Sequence, residues 1–165
     1  MGVMERKGRA MTALTAIALV GTAMVAGVFF AFSTFVMQGL GRLPDREAAA
    51  AMQSINVTAV RPLFMTLLFG TAAVVVVAVI MGVRNAGWSP SRWMIVGAVL
   101  YLGGVVLVTG GANVPLNDKL AAMDPTAAAT YWPDFLRDWL RDNHVRTLTS
   151  AASAVAWTIA LLRLP

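Results

Sequence analysis

His144 is the chain's one histidine, with Asn143 before it and Arg146 two residues after. An imidazole takes up or releases a proton near neutral pH, so His144 is the one general base of the chain suited to working pH. Three roles are open to it: a structural hydrogen bond, a catalytic or substrate contact, or a lone axial ligand to haem. With no cysteine and one histidine, neither a cysteine-ligated zinc or iron–sulfur site nor a 2-His-1-carboxylate centre can be assembled. No metal site is expected. Arg146 either joins His144 in a site or pairs with Asp142 one helical turn back.

A second polar group closes an apolar run: Gly110-Gly111-Ala112-Asn113-Val114-Pro115-Leu116-Asn117-Asp118. The glycines permit close backbone approach, and Pro115 is expected to bend or end a helix. Amides near hydrocarbon are costly without partners. Asn113 and Asn117 therefore need either the carbonyls freed around Pro115 or a bound ligand. Gln53 and Asn56 form a third group, bordering an apolar stripe.

The elements that must position these residues follow from where the charges are missing. The chain has 165 residues, 58% hydrophobic and 13% charged, against about 25% charged in ordinary globular domains. Disorder and a disulfide scaffold are excluded. The uncharged runs are 32 residues between Arg9 and Arg42, 22 between Arg61 and Arg84, 25 between Arg92 and Asp118, and 16 between Arg146 and Arg163. A hydrocarbon core of about 30 Å needs roughly 20 helical residues. The first three blocks suffice, and Arg163 can snorkel at the end of the fourth. The first is too long for a signal-peptide core. The expected fold is all-α: a polytopic membrane four-helix bundle with spans near 11–38, 62–83, 93–113 and 144–163.

Charge placement gives an orientation. Arg6, Lys7, Arg9, Arg84, Arg92 and Arg163 crowd the terminal pieces and the short turn, with Glu5 as their one acidic neighbour. Basic density on that side places the N- and C-termini in the cytoplasm, in a bacterial inner membrane. The isoelectric point of 10.8 is then a topology signal, and no nucleic-acid partner is implied because no aromatic-interleaved basic face exists.

Two long connections lie on the opposite side, Gly41–Arg61 and Asp118–Arg146. Each is expected to hold an interfacial helix, near 45–60 and 125–143. In the first, Ala48, Met52, Ile55 and Ala59 form an apolar stripe. That helix either lies in the headgroup layer or turns Gln53 and Asn56 into the bundle mouth. In the second, Asp124-Pro125 is a helix start, Pro133 interrupts, and Asp134 restarts one helix running to Leu162. Phe135, Leu136, Trp139, Leu140, Asn143 and His144 share one face of it, and Arg137, Asp138, Arg141 and Asp142 the other. This register carries Asn143 and His144 into the bundle, on the side of Asn113 and Asn117.

The segments Asn113-Val-Pro-Leu-Asn117-Asp118 and Trp139-x-x-x-Asn143-His144-Val-Arg146-Thr147 resemble the anthrone oxygenase-like family of small four-helix membrane proteins. Phe32-Ser33-x-x-Val36-Met37 with Leu40, and Ala51-Met52-Gln53-x-Ile55-Asn56, fit as well. The resemblance runs from about Phe29 to the end of the chain. It implies oxidation of a flat, apolar anthrone or related phenolic by dioxygen as co-substrate, without an organic cofactor. His144 would be the base, and Arg146, Asn113 and Asn117 would stabilise the developing oxyanion. Trp139, Trp132, Tyr131 and Phe32 would supply stacking walls, and Gln53, Asn56, Ser33 and Asn143 would bind substrate.

Two other readings stand beside it: a non-enzymatic small subunit of a membrane complex, and a haem- or quinone-binding redox protein. A bundle of four helices closes alone or as a homo-oligomer. The cysteine-free chain suits single-cysteine labelling. With an impermeant maleimide on intact spheroplasts, Thr126→Cys should label and Asn85→Cys should label only after lysis. The reverse pattern would invert the topology.

Overall fold

The structure, a computed structural model, describes residues 2–164, without the side chains of residues 3–5. The part of Glu5 in the N-terminal charge balance therefore lies outside the described residues. Ten helical segments follow one another without a strand among the described residues. They are α1 (Gly2–Ala31), a π-helical stretch Phe32–Val36, α2 (Met37–Leu40), α3 (Asp45–Ala59), α4 (Pro62–Asn85), α5 (Trp88–Tyr101), π-stretches Leu102–Leu107 and Thr109–Asn113, α6 (Val114–Ala121) and α7 (Pro125–Leu162).

Joined end to end, they make four helices long and apolar enough to cross a membrane: Arg6–Leu40, Pro62–Asn85, Trp88–Ala121 and Pro125–Leu162. Such helices fit an integral membrane protein, because lipid leaves the backbone no partner but itself. α1 packs on α4 and α7, and α5 packs on the same two, which closes a four-helix bundle. Its core holds Met94, Val75 and Trp157 toward one end and Val25, Phe29, Leu68, Tyr101 and Val105 toward the other. Close approach is built in at Gly97, where an added Cβ would stand 2.7 Å from Trp157 Nε1. There Ser153 Oγ donates to the Gly97 carbonyl at 2.7 Å.

Neither internal proline ends its helix. Pro115 does not end the third span, which runs on to Ala121. The π-stretch Thr109–Asn113 lies just before it, and wider i→i+5 turns absorb the N–H that proline lacks. Pro133 does not interrupt α7, which is continuous over 38 residues. Proline inside a helix costs about 3 kcal/mol. Here Ala128, Trp132 and Phe135 are buried on both sides of Pro133 and hold the helix in place, while Pro133 itself is exposed. The true start is Pro125, where Asp124 accepts from Thr126 N at 2.8 Å and Ala127 N at 3.0 Å. These two backbone donors hold the Asp124 carboxyl below its ordinary range.

Beyond the bundle, α3 and the first half of α7 form a cap with a core of its own. Ala48, Ala49 and Met52 of α3 meet Met37, Leu120, Trp132, Phe135 and Trp139. The apolar stripe of α3 is thus spent on α7, with Ile55 packed at its edge. Trp132 and Phe135 stack at 5.6 Å between ring centroids. Replacing a buried Trp by Ala costs about 3–5 kcal/mol. Trp132→Ala should lower the melting temperature of the detergent-solubilised protein clearly, whereas the exposed Asn85→Ser should leave it unchanged.

Candidate functional site

Three helices meet beneath the cap, and two of them do so through π-stretches. Such turns often mark functional sites, because they re-aim side chains and widen the helix. In the first span, Met37 N–H reaches back to the Phe32 carbonyl, and Ser33 is buried inside that stretch. In the third span, Thr109 and Asn113 open and close the stretch rich in glycine. α7 brings Trp139, Asn143, Arg146 and Thr147 against both.

Asn143 is wholly buried and bonded in every direction. Its Nδ2 donates to the Phe29 carbonyl and to Ser33 Oγ, both at 2.8 Å. Its Oδ1 accepts from Arg146 Nη2 at 2.8 Å. Ser33 Oγ also lies 3.0 Å from Thr147 Oγ1 and 3.0 Å from His144 Nδ1. Thr147 Oγ1 donates to the Asn143 carbonyl at 2.9 Å. One serine hydroxyl therefore joins the buried amide to the imidazole.

Arg146 is 5% exposed. Its Cζ lies 4.3 Å from the Phe29 ring centroid and 5.1 Å from that of Trp139. Nη1 donates to Thr109 Oγ1 at 3.4 Å, and Nε is buried without a hydrogen-bond partner. The expected alternative pairing with Asp142 does not form. Asp142 binds Arg141 Nε at 3.0 Å instead.

Asn113 is 1% exposed. Its Nδ2 donates to the Trp139 carbonyl at 3.3 Å, and its Oδ1 has no partner. Asn117 accepts from Trp139 Nε1 at 3.0 Å. Phe32 lies 5.6 Å from the Trp139 ring. The structure thus gathers Asn113, Asn117, Asn143, Arg146, Trp139, Phe32 and Ser33.

The expected α7 face is corrected at His144. The buried face runs through Trp139, Asp142, Asn143 and Arg146, while His144 is exposed. A helix advances about 100° per residue, so His144 and Arg146 point to nearly opposite sides. The imidazole stands at the rim and touches the cluster through Ser33. On the cap, Gln53 Nε2 donates to the Leu120 carbonyl at 2.8 Å, and Asn56 Nδ2 is buried without a partner. Trp132 belongs to the cap core, and Tyr131 carries Lys119 Nζ 4.0 Å from its ring centroid.

Sequence reasoning missed Phe29 and Thr109. Nothing in an apolar run marks a phenylalanine as the floor of a buried guanidinium or a threonine as its acceptor. Beside the cluster a groove of about 410 Å³ opens between α6 and α7, bounded by Ala112, Pro115, Leu116, Tyr131, Asp138 and Asp142.

A family model described as Anthrone oxygenase matches residues 58–156. No curated protein and no solved structure matches the chain.

Leaving a buried polar group without its partner costs about 1–3 kcal/mol. Asn143→Leu should destabilise the protein by more than that, since it strands Arg146 and the Phe29 carbonyl together. In a double-mutant cycle with Ser33→Ala, the two losses should be less than additive in thermal unfolding. Additive losses would show that the two side chains act separately.

Proposed function

The chain belongs to the anthrone oxygenase family, an oxygenase-type family, and from that premise we propose that it oxidises a flat, apolar phenolic or anthrone-like substrate with dioxygen. The observation that carries this reading is the hydrogen-bonded line Asn143–Ser33–His144, which connects a buried cationic cluster to an imidazole at the rim.

The reaction converts an activated methylene to a ketone. Ser33 Oγ takes a proton from the methylene carbon as it passes its own to His144 Nδ1, so His144 is the base acting through Ser33. The carbanion, delocalised as an enolate, gives its electrons to dioxygen, and a carbon–oxygen bond forms. The resulting peroxide takes up a proton, its O–O bond breaks, and the second methylene proton leaves. One oxygen atom remains as the carbonyl and the other departs as water. Protein side chains and dioxygen suffice, with no organic cofactor. Arg146 faces the enolate oxygen as a preorganised donor, with the amides of Asn113 and Asn117 as polar contacts beside it. Phe32 and Trp139 supply an aromatic wall, and Gln53 and Asn56 bind from the cap side. The substrate arrives from the bilayer, which is the bacterial inner membrane with both termini cytoplasmic. The bundle works alone or as a homo-oligomer.

Oxygen uptake and quinone absorbance should be followed with anthrone and purified protein in nanodiscs, against empty nanodiscs. Uptake above the control is expected. His144→Ala should lower kcat by about 10²–10⁴-fold, the usual worth of general base catalysis, and Ser33→Ala should act in the same direction. Full turnover in a folded His144→Ala variant would remove the base assignment. No uptake above the control would remove the oxygenase reading.

A further inference from the structure

The charge of Arg146 is unaccounted for by the protein around it. A guanidinium stays protonated at any working pH, and a buried charge is costly unless it is paired. Arg146 forms no ion pair among the described residues. Two rings, one threonine hydroxyl and one amide oxygen surround it, and Nε is buried without a hydrogen-bond partner. Asn113 Oδ1 is the complementary orphan, a buried acceptor without a donor. The two lie in one contiguous cluster. Arg146 reaches Thr109, one turn before Asn113, and Asn113 holds the carbonyl of Trp139, whose ring covers Arg146.

We propose that this cluster takes its ligand as a monoanion: an aromatic oxyanion facing Arg146 Nε, with a neighbouring hydroxyl donating to Asn113 Oδ1. The inference rests on reading the cluster as the substrate site. It adds the ionisation state in which the ligand is held before any oxygen is consumed. A neutral ligand leaves the guanidinium unpaired. A dianion sets a second negative oxygen against the lone pairs of Asn113 Oδ1.

The charged or titratable groups nearby are Asp142 one turn back on α7, bound to Arg141, Asp138 paired with Arg137 and Arg141, Lys119 over the Tyr131 ring on the groove wall, and His144 on the opposite face of α7. Phe29 of α1 and Thr109 of the third span, which touch Arg146, carry no charge.

The test uses redox-inert coloured probes on the full chain in nanodiscs under argon: 4-nitrocatechol, 4-nitrophenol and 4-nitroanisole, with empty nanodiscs as the partition control. The visible phenolate band should report that bound 4-nitrocatechol ionises at a pH at least one unit lower than free probe. Affinity should fall about tenfold from 4-nitrocatechol to 4-nitrophenol and again to 4-nitroanisole. Arg146→Gln should abolish the ionisation shift and leave 4-nitroanisole binding unchanged. Arg146→Lys, which keeps the charge if Gln fails to fold, should retain part of the shift. Asn113→Leu should erase the preference for the catechol over the phenol. Equal binding of 4-nitroanisole, or an unchanged shift in folded Arg146→Gln, would overturn the proposal. Oxygen uptake with anthrone despite equal probe binding would overturn it alone. Probe ionisation without oxygen uptake would support it and count against the oxygenase reading.

Discussion

The amide of Asn143 is the point on which the upper bundle turns. In a core of hydrocarbon, an amide without partners is far less stable than one fully bonded. This one meets its demand by tying α7 to the Phe29 carbonyl and to Ser33 of the first span, and by receiving Arg146. The relative rotation of the two longest helices is thereby set. With Asn143 inward, Arg146 must also lie inward and His144 must turn to the rim. The division of labour between a buried cation and an exposed imidazole follows from that single choice of face.

Around this tie, irregular helix is used where regular helix would not fit. Ser33 sits within one π-stretch, and Thr109 and Asn113 bound another. Extra residues in these turns bring a hydroxyl and an amide to face α7. Trp139 joins the parts. It packs in the cap core, shields Arg146, donates to Asn117 and accepts from Asn113 through its backbone. The cap is not a separate lid over the cluster, because one indole belongs to both.

Much of this was legible in the spacing of charges. Four apolar blocks gave four spanning helices, the Asp-Arg-Glu start gave α3, and the Ala48–Met52 stripe gave its buried face. The amides Asn113, Asn117 and Asn143 stood out because polar groups beside apolar runs are rare. The prolines were harder. A local rule says that Pro115 and Pro133 break helices, yet packing around Trp132 and Phe135 and the π-turns before Pro115 override it. The apolar spacing predicts His144 on the buried face, one position inward of where it lies. The apolar pattern of Phe135, Leu136, Trp139 and Leu140 is wide enough to centre on either edge, and only the Asn143 bonds to the first span decide between them. π-stretches carry no clear sequence signature, since glycine pairs permit them without requiring them.

The arrangement of the cap also bears on how the protein is made. The apolar face of α3, Ala48 and Met52, finds its partners in Leu120, Trp132, Phe135 and Trp139. Those residues lie some 70–90 positions later in the chain. At about 5–20 residues per second, a ribosome needs several seconds to deliver them, with two membrane spans inserted in between. Throughout that interval α3 is an amphipathic helix without its mate, and the lipid headgroup layer is the natural place for it to wait. The cap core is complete only when the final helix arrives, bringing Trp139, Asn143 and Arg146 to the Ser33 and Asn113 already made.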